Sequence, residues 1–160
     1  MLTLSLRDTL SRLLLALACG AVMGLNRNLH RKAAGVRTFG LVCAGSAIVA
    51  IAIMQVNPEA SAIGPVIQGV LTGIGFLGAG IILHQATSSR VTGLTTAAAV
   101  WLTAGLGLAC GLGESALAVS GLAAALILLL LGRPLERLFQ RMFSEDEGSR
   151  PREDSDDADG

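Results

Sequence analysis

The chain has 160 residues, of which 52% are hydrophobic and 15% are charged, and its mean hydropathy is +0.64. A water-soluble fold of this length could not bury so much apolar surface, so the composition excludes a soluble globular domain. The formal net charge of zero averages two regions, because eight of the twelve acidic residues lie between Glu145 and Asp159. We expect a lipid bilayer as the surroundings of the chain and no nucleic-acid partner.

Five apolar runs follow one another along the chain, at roughly residues 8–25, 38–56, 62–83, 94–112 and 115–131. A bilayer core of about 30 Å needs about 20 helical residues, so each run is long enough to cross it. The runs are uninterrupted and lack an alternation of period two, which favours helices over strands. In the first run, Arg12 must extend toward the membrane surface to leave enough apolar length. We therefore predict an all-α polytopic bundle of about five transmembrane helices within residues 1–132.

Basic residues in the short loops predict the orientation of this bundle. Eight of them fall on one side of the membrane, against two on the other. The eight are Arg27, Arg31, Lys32, Arg37, Arg90, Arg133, Arg137 and Arg141. By the positive-inside rule this side is the cytoplasm, so we expect a periplasmic N-terminus and a cytoplasmic C-terminus in a bacterial inner membrane.

The segment after the fifth run has two parts of different composition, an amphipathic part and an acidic part. Residues 133–143 place apolar side chains on one helical face and arginines four residues apart, which predicts a juxtamembrane amphipathic helix. Residues 144–160 are acidic and almost free of apolar side chains, which predicts a disordered tail.

Small and polar residues inside the runs indicate how the helices meet. Three G-x-x-x-G pairs allow close helix contact, and we favour packing within the chain over a homo-oligomer interface. These pairs are Gly20 and Gly24, Gly69 and Gly73, and Gly107 and Gly111. Three separated cysteines, Cys19, Cys43 and Cys110, are interpreted as packing residues. Polar groups within spans are functional candidates by default, and here they include Ser46, Gln68, Thr72 and Thr103.

Two similar turns precede predicted helices on the cytoplasmic side, at Gly35 to Thr38 and at Gly93 to Thr96. In each turn glycine permits a sharp bend and a hydroxyl could cap free N–H groups, which is the simpler interpretation. The alternative is that the two helix N-termini, with Arg37 and Arg90 beside them, bind a phosphate or a lipid headgroup.

No pattern in the sequence predicts an enzyme or a resident cofactor. The segment from Gly73 to Gly78 matches G-x-G-x-x-G, but it lies inside a span and no acidic residue follows it before Val100. His30 and His84 have no cysteine or carboxylate at ligand spacing, so a metal site cannot be assigned. Mg²⁺ is considered only as a substrate or a signal.

The order of three motifs resembles the MgtC/SapB family of bacterial inner-membrane proteins. The motifs are Ala34 to Thr38, Gly73 to Gly80, and Gly93 to Ala98 followed by Trp101. The resemblance runs from about Leu10 to Leu131. It implies a role in magnesium homeostasis, under a historical label of Mg²⁺ transport. It also implies that some members regulate other membrane proteins, including the ATP synthase, and support survival inside host phagocytes.

Two departures from the family pattern limit what the resemblance implies. The family has Gly-Leu-Glu-Arg at the end of its first helix, whereas this chain has Gly24-Leu25-Asn26-Arg27. Longer members also carry a folded cytoplasmic domain, so this chain resembles the short, SapB-like form. We favour a regulator or binder of other membrane proteins over a pump, and a transporter of Mg²⁺ or another cation is the alternative.

Two groups of residues are the candidate sites. At the cytoplasmic helix ends they are Asn26, Arg27, Arg37, Thr38, Arg90, Thr95 and Thr96. For helix packing they are Gly73, Gly75, Phe76, Gly78, Gly80 and Trp101.

Overall fold

The computed structural model describes residues 4–32, 34–56, 59–84 and 92–147, and this part of the chain is all-helical. Its helices are α1 (Leu6–Leu29), α2 (Val36–Val56), α3 (Ala60–His84), α4 (Leu94–Leu112) and α5 (Ser115–Glu147). All five are long and apolar enough to span a membrane. The prediction of an all-α bundle of five transmembrane helices is therefore confirmed.

Side chains and backbone turns fix the ends of these helices. At the start of α1 the Ser5 hydroxyl accepts a hydrogen bond from the Asp8 N–H at 3.1 Å, which is an N-cap. Beyond the end of α1, Arg31 has a φ of 50° and the Lys32 N–H bonds to the Arg27 carbonyl, which is a Schellman turn. A second turn of this kind ends α4 at Gly113, whose φ of 92° suits glycine.

Arg12 has a specific partner rather than only an interfacial position. Its Nη1 donates a hydrogen bond to the Gly111 carbonyl at 2.7 Å, in the last turn of α4. The free carbonyls at a helix C-terminus carry partial negative charge, so a cation stabilises them. This contact joins α1 to α4 and explains how an arginine fits within the first apolar run.

Helices α1, α2 and α4 pack closely because glycines remove side chains where their backbones meet. A Cβ added at Gly20 would lie 2.6 Å from the Phe39 carbonyl oxygen, and one at Gly107 would overlap the Cys43 carbonyl oxygen. The other members of these two pairs, Gly24 and Gly111, are equally tight against α2. Two of the three G-x-x-x-G pairs therefore serve packing within the chain.

The three cysteines meet in the core between these helices. Cys19, Cys43 and Cys110 are all buried in one cluster with alanines of α1 and α2 and with Leu106. Among the described residues, no group of three or more histidine, cysteine or acidic side chains could hold a metal ion.

The chain divides into two compact units, the first ending at Leu126 and the second beginning at Ile127. In the first unit α4 is the most buried helix, whereas α3 buries little of its surface. Helix α5 is continuous to Glu147, so residues 133–143 belong to it. Residues 148–160, most of the predicted tail, lie outside the described residues.

Candidate functional site

A buried arginine lies where the end of α1 meets the start of α4. Arg27 is 4% exposed, and its Nη2 donates a hydrogen bond to the Thr96 hydroxyl oxygen at 2.6 Å. Thr96 is itself 2% exposed. Two members of the predicted residue set, 69 positions apart in the sequence, are therefore direct partners inside the bundle.

Two helix ends act on the charge of Arg27 in opposite directions, because the last turn of α1 favours a cation and the first turn of α4 disfavours one. Thr96 is the third residue of α4, and the free N–H groups of a first helical turn carry partial positive charge. A cation at that end of a helix is disfavoured, and a buried charge is costly unless polar groups solvate it. The Thr96 hydroxyl supplies one such group. The arrangement fixes a positive charge within the protein, at the end of the bundle predicted to be cytoplasmic.

An open cavity of about 470 Å³ adjoins the first turn of α2, and Thr38 is one of its lining residues. It is lined by Asn28, Gly35, Val36, Arg37 and Thr38. A Cβ on Gly35 would overlap the Asn28 side-chain oxygen, so a larger residue at this position would displace the exposed Asn28 side chain. The lining combines a helix start, a cation and an amide. Arg90, the second cation of the anion-binding alternative, lies outside the described residues.

A second cavity of about 350 Å³ reaches Thr38 from another side. Its walls are otherwise mainly apolar and are formed by α2, α3 and α4, with Phe76 and Val100 among them. Thr38 is exposed and lines both a polar and an apolar cavity.

Asn26 does not occupy a left-handed cap position. It lies within α1 and is partly buried. Its carbonyl oxygen accepts a hydrogen bond from His30 Nδ1 at 2.7 Å. The left-handed residue is Arg31. Asn26 is therefore not the C-cap residue of α1; the helix continues about one turn beyond the predicted apolar run, and its C-cap residue is His30.

The expected hydroxyl cap is also not found at α4. Gly93 is its N-cap residue, with a φ of 90°, and no side chain makes a capping hydrogen bond there. The Thr96 hydroxyl bonds to Arg27 instead. Thr95, like Arg37, is exposed.

The predicted packing residues of α3 and α4 differ in their contacts. A Cβ on Gly78 would lie 3.5 Å from the Ala97 Cβ, so Gly78 lies at the contact between α3 and α4. Gly73, Gly75 and Gly80 have open space at their Cβ positions. The large side chains are on the outside, with Phe76 82% and Trp101 49% exposed.

Sequence reasoning missed Asn28 and Gly35 as a contacting pair, and it missed the bond between Arg12 and Gly111. For the contact between Asn28 and Gly35, the local signal in the sequence is an asparagine just before a helix end. For the second, a charged residue within an apolar run indicated that a partner was needed.

Comparison with known proteins gives one consistent result. The profile of the MgtC family matches residues 13–138. Protein SrpB of Synechococcus elongatus is 43% identical over 138 residues, covering 79% of this chain and 76% of SrpB. Protein MgtC of Salmonella typhimurium is 38% identical over 130 residues, covering 81% of this chain.

The chain spans about half the length of several of these relatives. It covers 53% of Salmonella MgtC, and 56% of an uncharacterized protein of Haemophilus influenzae that is 36% identical. No solved structure matches the chain. The similarity thus covers the helical part that carries Arg27 and Thr96.

Proposed function

Because the chain belongs to the MgtC family, we propose that this multi-pass membrane protein, linked to magnesium homeostasis, acts by binding other membrane proteins rather than by pumping ions. The proposal includes its location in the bacterial inner membrane, with the N-terminus in the periplasm and the C-terminus in the cytoplasm. Other inner-membrane proteins and a second copy of the chain are the candidate partners.

The buried positive charge of Arg27 carries this proposal. A divalent cation about 8 Å from one positive charge is repelled by roughly 4 kcal/mol at an effective dielectric constant of about 20. Fixed arginines exclude cations from other membrane pores in this way. Mg²⁺ entering near α1 and α4 would meet Arg27 held by Thr96.

Close packing beside Arg27 supports the same proposal. Toward the middle of the helices from Arg27, glycines bring α1 and α4 against the backbone of α2. The Gly20 and Gly107 positions there have no room even for a methyl group. A path for a hydrated ion through these three helices would require them to separate. A rigid bundle with accessible outer surfaces suits recognition of other helices better than conduction.

The alternative function is transport of Mg²⁺ or another cation. Two cavities that share Thr38 favour it, because one adjoins the start of α2 and the other extends between α2, α3 and α4. On this alternative Mg²⁺ is the substrate, whereas on the regulatory proposal it is the signal.

Two measurements on the same protein separate these functions. The first is Mg²⁺ entry into liposomes containing the purified chain and a trapped Mg²⁺-sensitive dye. The second is growth of a deletion strain at limiting Mg²⁺, with and without the gene restored. We expect protein-dependent growth and no entry above protein-free liposomes. Protein-dependent Mg²⁺ entry would refute the regulatory proposal, and growth independent of the gene would refute the link to magnesium.

A further inference from the structure

One line of residues along α3 has an unusual composition for a surface that meets lipid. All of its members are exposed, and all are small or polar: Ser61, Pro65, Gln68, Thr72, Gly75 and Ala79, here called the α3 seam. The exposed face of α1 instead carries leucines such as Leu10, Leu14 and Leu17. In membranes, small and polar residues are enriched where helices contact each other.

The spacing of the α3 seam matches that of a helix pair. Its members are separated by four, three, four, three and four residues, which is the alternating spacing of the contact positions in a heptad repeat. Residues with this repeat stay on one line between two helices that cross at about +20° in a left-handed sense. The seam also continues along most of the span from Ser61 to Leu83.

Two polar side chains of the seam lie deep in the span without partners. Thr72 is at the middle of the span, and Gln68 is four residues away, or about 6 Å along the helix. Neither side chain forms a hydrogen bond with any residue that the structure describes. Thr103 in α4, by contrast, bonds to the Ala99 carbonyl at 2.8 Å. An amide that faces hydrocarbon is costly, so a hydrogen-bond partner from another chain would stabilise Gln68.

We infer that the α3 seam binds the α3 seam of a second copy of this chain, with Gln68 hydrogen-bonded to its counterpart. Copies of one sequence insert with one orientation, so two α3 helices run parallel and a twofold axis brings like residues together. A glutamine amide has both donors and an acceptor, so it complements itself across that axis. A helix from a different protein would need a hydrogen-bonding group of its own at the matching depth.

The monomer leaves room for this contact. A Cβ at Gly75 meets no atom within 4 Å, so the position is open in the single chain. The intramolecular contact of α3 instead uses Gly78, against Ala97 of α4. Self-association therefore needs no rearrangement of α3. The inference specifies one of the partners named in the proposed function, a second copy of the chain, but it requires only that α3 spans a bilayer.

The test is the association constant of the full chain in phosphatidylethanolamine and phosphatidylglycerol vesicles. Energy transfer between donor- and acceptor-labelled copies would be measured as lipid dilutes the protein. We expect Gln68→Leu to weaken association about threefold to tenfold, the effect of one interhelical hydrogen bond in a bilayer. Gly75→Leu should weaken it further by blocking close approach, and Gln68→Asn should retain part of it.

Gly80→Leu is the matched control, because Gly80 lies in the same helix with an equally open Cβ position but off the seam. It should leave association unchanged. Thermal unfolding of each variant would show that the monomer fold is retained. A monomeric wild-type chain at every dilution would overturn the inference, as would equal weakening by Gly80→Leu and Gly75→Leu. If the wild type is monomeric but seam variants lose cross-linking to another membrane protein, the seam belongs to that partner. Neither outcome depends on Mg²⁺ entry or growth.

Discussion

Replacing Thr96 with valine removes the hydroxyl that accepts the hydrogen bond from Arg27 and nearly preserves the side-chain volume. The bond is 2.6 Å long, and both residues are buried. A hydrogen bond to a charged group contributes about 1.5 to 3 kcal/mol. We expect Thr96→Val to lower the free energy of unfolding by that amount. For a chain of this size the corresponding fall in Tm is roughly 3 to 12 °C.

The neighbouring residue provides the control for this prediction. Thr95 is exposed, so Thr95→Val makes the same chemical change without touching Arg27 and should alter stability by less than about 0.5 kcal/mol. Thermal unfolding of the purified protein in detergent can be followed through Trp101, the single tryptophan. Equal shifts for the two variants would refute the argument that Thr96 stabilises a buried charge.

A double-mutant cycle measures the pair itself. Arg27→Met removes the charge, and a chain carrying both Arg27→Met and Thr96→Val has no polar group left to satisfy at this contact. Since removing one partner costs more than removing both, the two losses should not add. We expect a coupling energy of at least about 1 kcal/mol. Additive losses would show that the two side chains act separately.

The remaining predictions concern topology, packing and ion binding. Cysteines placed at Glu59 should be labelled from outside intact cells, and cysteines placed at His30 only after permeabilisation; the opposite pattern would reverse the predicted orientation. Gly107→Ala should cost at least about 2 kcal/mol because of overlap with the α2 backbone, whereas Gly105→Ala, with open space, should be neutral or gain up to about 1 kcal/mol in the same unfolding assay. Asn26→Glu should not raise Mg²⁺ entry into liposomes, and a reproducible gain would favour the transporter alternative.

Hydropathy predicted the spans because the cost of burying polar backbone in lipid acts locally on each segment. The predicted runs at 94–112 and 115–131 agree with α4 and the apolar part of α5 to within one residue. The end of α1 differs from its prediction, because the helix extends to Leu29 rather than to residue 25. Arg27 was assigned to the polar loop, yet it is buried because α4 lies against it. Hydropathy is a property of each segment by itself, so it does not indicate which helix packs against Arg27.

The candidate site was predicted as a set of residues but not as an arrangement. Arg27 and Thr96 were both in the set, and nothing in one sequence indicates that positions so far apart are hydrogen-bond partners. The same limit applies to Arg12 and Gly111. Turn chemistry, on the other hand, is local, so the glycine at Gly93, which has a φ of 90°, could be predicted, although the capping hydroxyl expected at α4 is not found.

The G-x-x-x-G pairs show why a motif alone does not identify its partner. The pair in α1 and the pair in α4 both meet the backbone of α2, so α2 is the common contact of the core. The third pair, Gly69 and Gly73, has no such contact and lines an open apolar groove of about 530 Å³ between α2 and α3. Glycines permit close approach of two helices, and the larger side chains around them determine which helix packs there. Helix α3 leaves its small residues without close contacts along both the groove and the α3 seam, and the proposed self-association depends on these residues.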